Sequence, residues 1–465
     1  MLLTAILIYL VVTLAIGAWS ARLVKNSNDF VLAGRSLPLF LSASALFATW
    51  FGSETIFGAS SVYLEEGLIG VIEDPFGGAL CLILFGLFYL RPMYRMNVLT
   101  IGDVFKKIFG ERLAFFASIF MIPAYFGYVA AQLIALSLVL GAVTDLSLME
   151  GVVISACIVV FYTFLGGMWA ISITDFMQTT LIVIGLLAVA YLVASEAGGI
   201  GVIIEKAPPE SFQFFPEPNF AAWISYFGAW IILGLGSIPS QDIYQRVMSS
   251  KSEKVAVQST YLAGIFYLTF GLLPLFIALG AKILYPELYL ADKQMLLPAM
   301  VLQHSNLPIQ VLFFGALISA IMSTTSSGLL APAAIISENL IRPYFGKNLK
   351  DRHFLWILRA NVVLVAGIAL LMASWKSDIY ELVAGASILM LVSLFVPLTA
   401  GLYWKKASPG GAFLALFVGT GAYLAAEMLV PNQETHLIGL FASALAMGVG
   451  SYIFPTKTLT PDELS

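Results

Sequence analysis

Runs of about 20 mostly apolar residues, the length a helix needs to cross a lipid bilayer, recur along the whole sequence. Thirteen are recognisable, at roughly 2–21, 37–63, 68–92, 113–140, 150–165, 171–195, 221–245, 256–284, 308–337, 353–375, 379–402, 410–430 and 437–454. In hydrocarbon only helices and closed barrels satisfy their own backbone hydrogen bonds, and runs of this length select helices. The sequence therefore predicts an all-α integral membrane protein with about 13 transmembrane helices. Charged residues make up 11% of the 465 residues, less than half of what coats a soluble domain. That excludes an ordinary soluble enzyme and a disordered chain. A net charge of −4 without a basic tract excludes a nucleic-acid binder.

Lysine and arginine test the map of spans, because cytoplasmic loops hold their excess. With the N-terminus outside, 19 of the 23 fall on the inner side, in clusters such as Arg22/Lys25/Arg35, Arg91/Arg95 and Arg246/Lys251/Lys254. The outer side receives only Lys206, Lys282, Lys293 and Lys376. One missed span would invert every later loop, so the asymmetry supports count and orientation together. The apolar start lacks a basic n-region and a small-residue cleavage site, and reads as a span rather than a cleaved signal. The chain is expected in the cell membrane, N-terminus outside and C-terminus in the cytoplasm.

Little here suggests covalent chemistry. Cys81 and Cys157 lie in apolar runs, and His304, His353 and His436 are scattered. No phosphate-binding G-x-x-x-x-G-K-[ST] motif occurs. No enzyme is predicted, and no nucleic-acid partner. The outer loops at about 196–220 and 285–307 are too short for a second core, so 1–465 reads as one transmembrane domain.

Function in a membrane protein concentrates where the apolar helix is interrupted. Four places stand out. In the second run, Ala45–Ser61 collects small and polar residues around Gly52, Ser53, Glu54 and Thr55. Small residues alone would mean helix–helix contact; a carboxylate at mid-membrane argues for a polar cavity. In the seventh run, Gly234, Gly236 and Pro239 precede Ser240, Gln241 and Asp242. Asp242 and Arg246, four apart, read as a pair at the cytoplasmic surface. Two breaks five spans apart match an inverted-repeat transporter, with solute and ions held between the broken helices. On this reading 1–36 is an added helix and loop. The repeats are 37–200 and 201–404, and 405–465 adds C-terminal helices and a tail.

The third place is the ninth run, where five hydroxyls run consecutively from Ser323 to Ser327. They suit a hard cation such as Na⁺, or simply bond their own helix carbonyls. The fourth is Asp175 near the start of the sixth run. It reads equally as a helix-start carboxylate favoured by the macrodipole and as the one full negative charge of an ion site.

Taken together, "ALFATWFGSETIFG", "GGMWAISITDFMQ", "LGSIPSQDIYQRVMSS" and "LISAIMSTTSSG" resemble the sodium/solute symporter family, over nearly the whole chain. The resemblance implies the LeuT-type five-plus-five inverted repeat. It implies a first Na⁺ site made by the carbonyls of Ala48, Phe51 and Ala320 and the hydroxyls of Ser323 and Thr324. It implies a second from Asp175, Ser326 and Ser327. One or two Na⁺ ions then serve as coupling ions. Within the family the likeness is to the high-affinity choline transporter branch, through "ATW" at Ala48–Trp50, "RPM" at Arg91–Met93 and "YQRVMSS" at Tyr244–Ser250. Trp50 suits cation–π contact with an amine. Ser240 stands where that branch has a second tryptophan, and Glu54 is not part of its pattern.

The expected function is secondary active transport: inward Na⁺ movement drives uptake of a small polar organic solute, an amine or amino-acid-like zwitterion. Candidate solute contacts are Trp50, Ser53, Glu54, Thr55, Tyr128, Gln132, Ser240 and Gln241. The expected partners are the solute and the lipid bilayer, with the chain acting as a monomer. A channel, a membrane sensor, or symport of a sugar or carboxylate are the rival readings.

Overall fold

A computed structural model describes residues 1–345, 349–375, 379–430 and 434–455, with 379–381 described as backbone only. Lys347, Lys376 and Lys457, used above in the charge asymmetry, lie outside the described residues. Among the described residues the chain is helical, with a single isolated bridge between Leu37 and Ser250.

Among the described residues ten helices are long and apolar enough to cross a membrane, or eleven if one bent pair counts as a span. The expected count of 13 is not reached by this measure. One cause is that two of the ten are much longer than a crossing. The stretch Glu54–Met96 has 43 residues and Leu148–Glu196 has 49.

In chain order the main helices are α1 (Leu2–Ser20), α2 (Leu39–Trp50), α3 (Ala59–Glu66), α4 (Gly78–Leu84), α5 (Ile101–Phe109), α6 (Glu111–Gly141) and α7 (Leu148–Glu196). There follow α8 (Phe220–Gly236), α9 (Gln241–Met248), α10 (Glu253–Leu284), α11 (Leu307–Ile335) and α12 (Asp351–Ala373). The last are α13 (Ile379–Met390), α14 (Val396–Tyr403), α15 (Pro409–Leu429) and α16 (Thr435–Ile453). Their starts are written in the sequence. Thr100 and Ser147 head reciprocal capping boxes with Asp103 and Glu150. Asn219, Ser252, Asn306 and Ser408 cap α8, α10, α11 and α15. Each cap satisfies amides that a helix end leaves unpaired.

Three interruptions shape the interior. Within α7, Gly167 takes φ 50° and ψ −138° and turns the chain, so residues 150–165 and 171–195 lie on either side of a kink. α2 stops at Trp50, Phe51 leaves helical geometry at ψ 81°, and a wide turn at Glu54–Gly58 leads into α3. α8 and α9 meet at a 48° bend. α11, buried from Phe313 to Ile335, packs along α6 and α7, while α2 packs on α7 and α10.

The loops are tied to one another in two groups. At one end Arg35 donates to the Val98 carbonyl at 2.9 Å, Tyr94 to the Ser250 carbonyl at 2.9 Å, and Arg95 pairs with Glu253 at 3.1 Å. Ser27 binds Asp351 there at 2.6 Å, and Asn339 binds Asp103 at 2.9 Å. At the other end Lys282 donates to the Leu64 carbonyl at 2.7 Å, Tyr285 to Glu196 at 2.5 Å, and Lys293 pairs with Glu65.

Gly167 offers a test of the kink. Its positive φ disfavours any side chain, and an added Cβ would overlap the Phe30 carbonyl oxygen and lie 2.7 Å from the Phe30 ring. Gly167→Ala is expected to destabilise the fold by about 1–3 kcal/mol, read as a lower Tm in detergent. Gly367→Ala, with no atom within 4 Å of the new methyl group, is expected not to lower it.

Candidate functional site: a cavity between two broken helices

The break after α2 frees carbonyls that hydrocarbon cannot solvate. Hydroxyls from three other helices take them up. Ala48 O accepts from Thr324 Oγ1 at 3.1 Å, Thr49 O from Tyr128 OH at 3.0 Å, and Trp50 O from Tyr267 OH at 3.0 Å. Gly52 sits where no side chain fits: a Cβ there would lie 2.7 Å from a Glu54 carboxylate oxygen and 3.0 Å from Gln132 Oε1. The Gln132 amide clamps this turn. Its Nε2 donates to Glu54 at 2.7 Å, and its Oε1 accepts from the Ser53 amide at 3.0 Å. Thr55 Oγ1 donates to Asp74 at 2.8 Å, and the single Tyr267 hydroxyl proton lies between Trp50 O and the other Asp74 oxygen.

The second break is held by one phenol. Tyr125 OH accepts from the Gln241 and Asp242 amides at 2.7 and 3.2 Å, two donors that the start of α9 leaves free, and donates to Asp242 Oδ1 at 2.9 Å.

Between the two breaks lies a small cavity, which leaves about 50 Å³ for the centres of water-sized molecules. Its wall carries two carboxylates (Glu54, Asp242), four aromatic side chains (Trp50, Tyr125, Tyr128, Tyr267) and three serines (Ser237, Ser240, Ser387), completed by apolar side chains including Leu233, Val383 and Met390. Among the described residues no lysine, arginine or histidine is part of the wall. Trp50 Nε1 and Ser240 Oγ are buried and have no hydrogen-bond partner.

Of the residues singled out from sequence, Trp50, Glu54, Tyr128 and Ser240 line the cavity. Ser53, Thr55 and Gln132 are buried behind it and hold its wall in place. Gln241 does not line this cavity. Its Oε1 accepts from the Ile101 amide at 2.8 Å, because the first turn of α5 needs an acceptor there. The surface pairing of Asp242 with Arg246 is also corrected. The guanidinium bonds the Asp242 backbone carbonyl at 3.3 Å, both residues are buried, and the Asp242 carboxylate faces the cavity. Sequence reading missed Tyr125, Asp242 and Tyr267 as lining residues. Tyrosine in an apolar run gives no signal of its own, whereas Asp242 stood directly after a visible break.

The ion residues form a second cluster on α11. Thr324 Oγ1 touches Ala48 O at 3.1 Å and Ala320 O at 3.0 Å, so three of the five oxygens assigned to the first Na⁺ meet at one point. A hydroxyl donating to carbonyls of two helices marks where those carbonyls converge, and such oxygens suit a hard cation. Phe51, fully buried, adds a carbonyl turned out of helical direction at the break. Ser323 Oγ is turned away from them and donates to Asp175 Oδ1 at 2.5 Å. The Asp175 Oδ2 atom lies 3.8 Å from the Arg246 guanidinium, which also bonds Ser327 Oγ and donates to Ala45 O at 3.0 Å. Ser326 and Ser327 each donate to Ser323 O at 2.8 Å. The structure thus brings Asp175 to Ser323 and Arg246, and routes the Ser326 hydroxyl to its own helix.

Comparison with known proteins places this geometry. The model of the sodium:solute symporter family matches residues 30–419. The chain is 31% identical over 422 residues to a high-affinity choline transporter of Drosophila melanogaster, covering 86% of this chain and 67% of that one. It is 26% identical over 451 residues to an osmoregulated proline transporter of Bacillus subtilis, covering 90% and 87%. Among solved structures, a Na⁺-coupled sialic acid symporter in a substrate-bound outward-open state aligns with a TM-score of 0.86 at 17% identity, over 98% of both chains. MhsT in complex with L-phenylalanine aligns with a TM-score of 0.56 at 12% identity, over 90% of this chain and 98% of that one. These likenesses show a shared fold. The chain belongs to the sodium:solute symporter family, and is a multi-pass membrane transporter with Na⁺ as its coupling ion.

Proposed function

We propose that this chain couples inward Na⁺ movement to uptake of a small organic amine bearing positive charge. The observation that carries this reading is the cavity wall, which has two carboxylates, four aromatic faces and no cationic side chain. Buried carboxylates are costly unless a cation offsets them, and aromatic faces attract an ammonium group. The choline transporters among the relatives support an amine.

In this reading the first Na⁺ sits among the carbonyls of Ala48, Phe51 and Ala320 and the hydroxyl of Thr324, and the Ser323 hydroxyl rotates from Asp175 to join them. It joins the broken helix α2 to α11, so binding it favours the state in which the cavity wall is assembled, a coupling free energy between ion and solute. Asp175, Ser326 and Ser327 form the second Na⁺ position. A sodium there shares the carboxylate with Arg246 and therefore binds more weakly. Each charge moved inward gains about 2.3 kcal/mol per 100 mV. In this reading the N-terminus lies outside and the C-terminus in the cytoplasm. Residues 37–200 and 201–404 are the inverted repeats that rock about the site, and one chain suffices.

Two outcomes test the ion assignments. Thr324→Val removes the hydroxyl that bridges α2 and α11 while keeping its shape. It is expected to raise the half-saturating Na⁺ concentration for uptake in proteoliposomes by about tenfold; uptake in the unaltered protein that is indifferent to Na⁺ would overturn the coupling.

Asp175→Asn is expected to lower the Na⁺ Hill coefficient from near two towards one. Uptake should keep its dependence on the first site. A Na⁺-to-solute flux ratio of one in the unaltered protein, unchanged by Asp175→Asn, removes the second ion from the cycle.

A further inference from the structure

Resting on the reading of the cavity as the solute site, we infer that Asp74 is a proton-binding site, and that its proton holds the cavity wall in the form that takes the solute. Asp74 is 1% exposed and stands behind the wall, against Thr55 in the turn after α2 and Tyr267 on α10. A count of hydrogens at this point carries the inference. Thr55 Oγ1 lies 2.8 Å from one Asp74 oxygen and 2.8 Å from Tyr267 OH. Tyr267 OH lies 3.0 Å from Trp50 O and also touches the other Asp74 oxygen. These four contacts join oxygen to oxygen, and the two hydroxyls own one hydrogen each. With Asp74 ionised, two of the four have no hydrogen between the oxygens. One proton on the carboxyl group gives the bonds a direction: Asp74 donates to Tyr267, Tyr267 to Trp50 O, and Thr55 to the remaining Asp74 oxygen. It also removes a buried charge whose hydrogen-bond partners, among the described residues, are neutral hydroxyls.

The proton decides where the Tyr267 hydroxyl points. Trp50 and Tyr267 both line the cavity, and Trp50 is the last residue of α2 before the break. When the proton leaves, the carboxylate draws the phenol hydrogen to itself, because a charge-assisted bond is the stronger one. Trp50 O then keeps the Gly52 amide at 3.1 Å and a long contact to Thr55 at 3.4 Å, and the bond that ties α10 to the broken helix is lost. Solute affinity is therefore highest while Asp74 is protonated and falls as rising pH removes the proton. Besides Tyr267, the titratable group that faces Asp74 is Glu54, from the turn after α2. Glu73 precedes it on its own segment. α8 packs there with Trp230 and Gly234, α4 begins there with Gly78, and the neighbouring turn Gly67–Val71 holds no titratable side chain.

Infrared difference spectroscopy of the purified full chain reads the proton directly, through the carbonyl stretch that a protonated carboxyl group has and a carboxylate lacks. At about pH 7 the unaltered protein is expected to show this band, Asp74→Asn to lose it, and Tyr267→Phe to shift it by removing a bonding partner. Either variant suffices where the other fails to fold. Absence of the band, or a band that neither substitution alters, overturns the inference. The link to solute is read from Na⁺-driven uptake of choline, ethanolamine and L-proline into proteoliposomes from about pH 6 to about pH 8.5, a range in which the charges of these solutes stay constant. The half-saturating concentration is expected to rise by up to about tenfold per pH unit once the proton is lost. Asp74→Asn, whose amide donates to Tyr267 as the protonated carboxyl does, should flatten the rise, and Glu54→Gln should keep it. A pH-independent half-saturating concentration, or a rise that Glu54→Gln abolishes and Asp74→Asn retains, overturns the inference and leaves Na⁺-coupled amine uptake in place. Na⁺-driven uptake of none of the three overturns that reading, and the link to solute with it.

Discussion

A membrane interior offers no water to an unpaired backbone group, and this constraint organises the protein around its two breaks. A helix that stops at mid-membrane must hand its carbonyls or amides to side chains. Here tyrosines and a threonine take them: Tyr128, Tyr267 and Thr324 at the first break, and Tyr125 at the second. These bonds fix where the wall of the cavity stands. The same phenols line it, so the groups that repair the breaks also form the cavity wall. The site is a consequence of the breaks rather than an addition to them.

Charge follows the same logic. Four carboxylates, Glu54, Asp74, Asp175 and Asp242, lie buried near the breaks with one guanidinium among them. Arg246 stands beside Asp175, while Asp74 relies on Thr55 and Tyr267 and the other two face the cavity. Buried carboxylates of this kind attract cations, the coupling ion among them. The two positions share α2: Ala48 O meets Thr324, and Trp50 and Glu54, a few residues later, wall the cavity. An ion that orders this segment therefore orders the solute site.

The segments that flank the broken helices are tied to each other. Leu37, just before α2, exchanges backbone hydrogen bonds with Ser249 and Lys251, just after α9, at 3.0 Å each. Ser42 and Ser250 add a bond at 3.0 Å, and Gln245 reaches the Val31 carbonyl at 2.5 Å.

The sequence by itself determined the class of fold, the positions of the breaks and most of the helix starts. These depend on local quantities: apolar run length, glycine and proline, capping side chains, and the sorting of lysine and arginine. It also marked Trp50, Glu54 and Ser240, because polar or aromatic residues beside a break stand out against hydrocarbon. Only the tertiary structure decided which side chains share a wall. Tyr125 and Tyr267 come from helices distant in sequence, and their hydroxyls matter only once a broken helix is brought against them. It also decided that Gln241 turns to α5 and that Arg246 meets Asp175, 71 positions earlier. Side-chain partnership across a bundle is set by helix rotation and depth, and no periodicity along one chain records those.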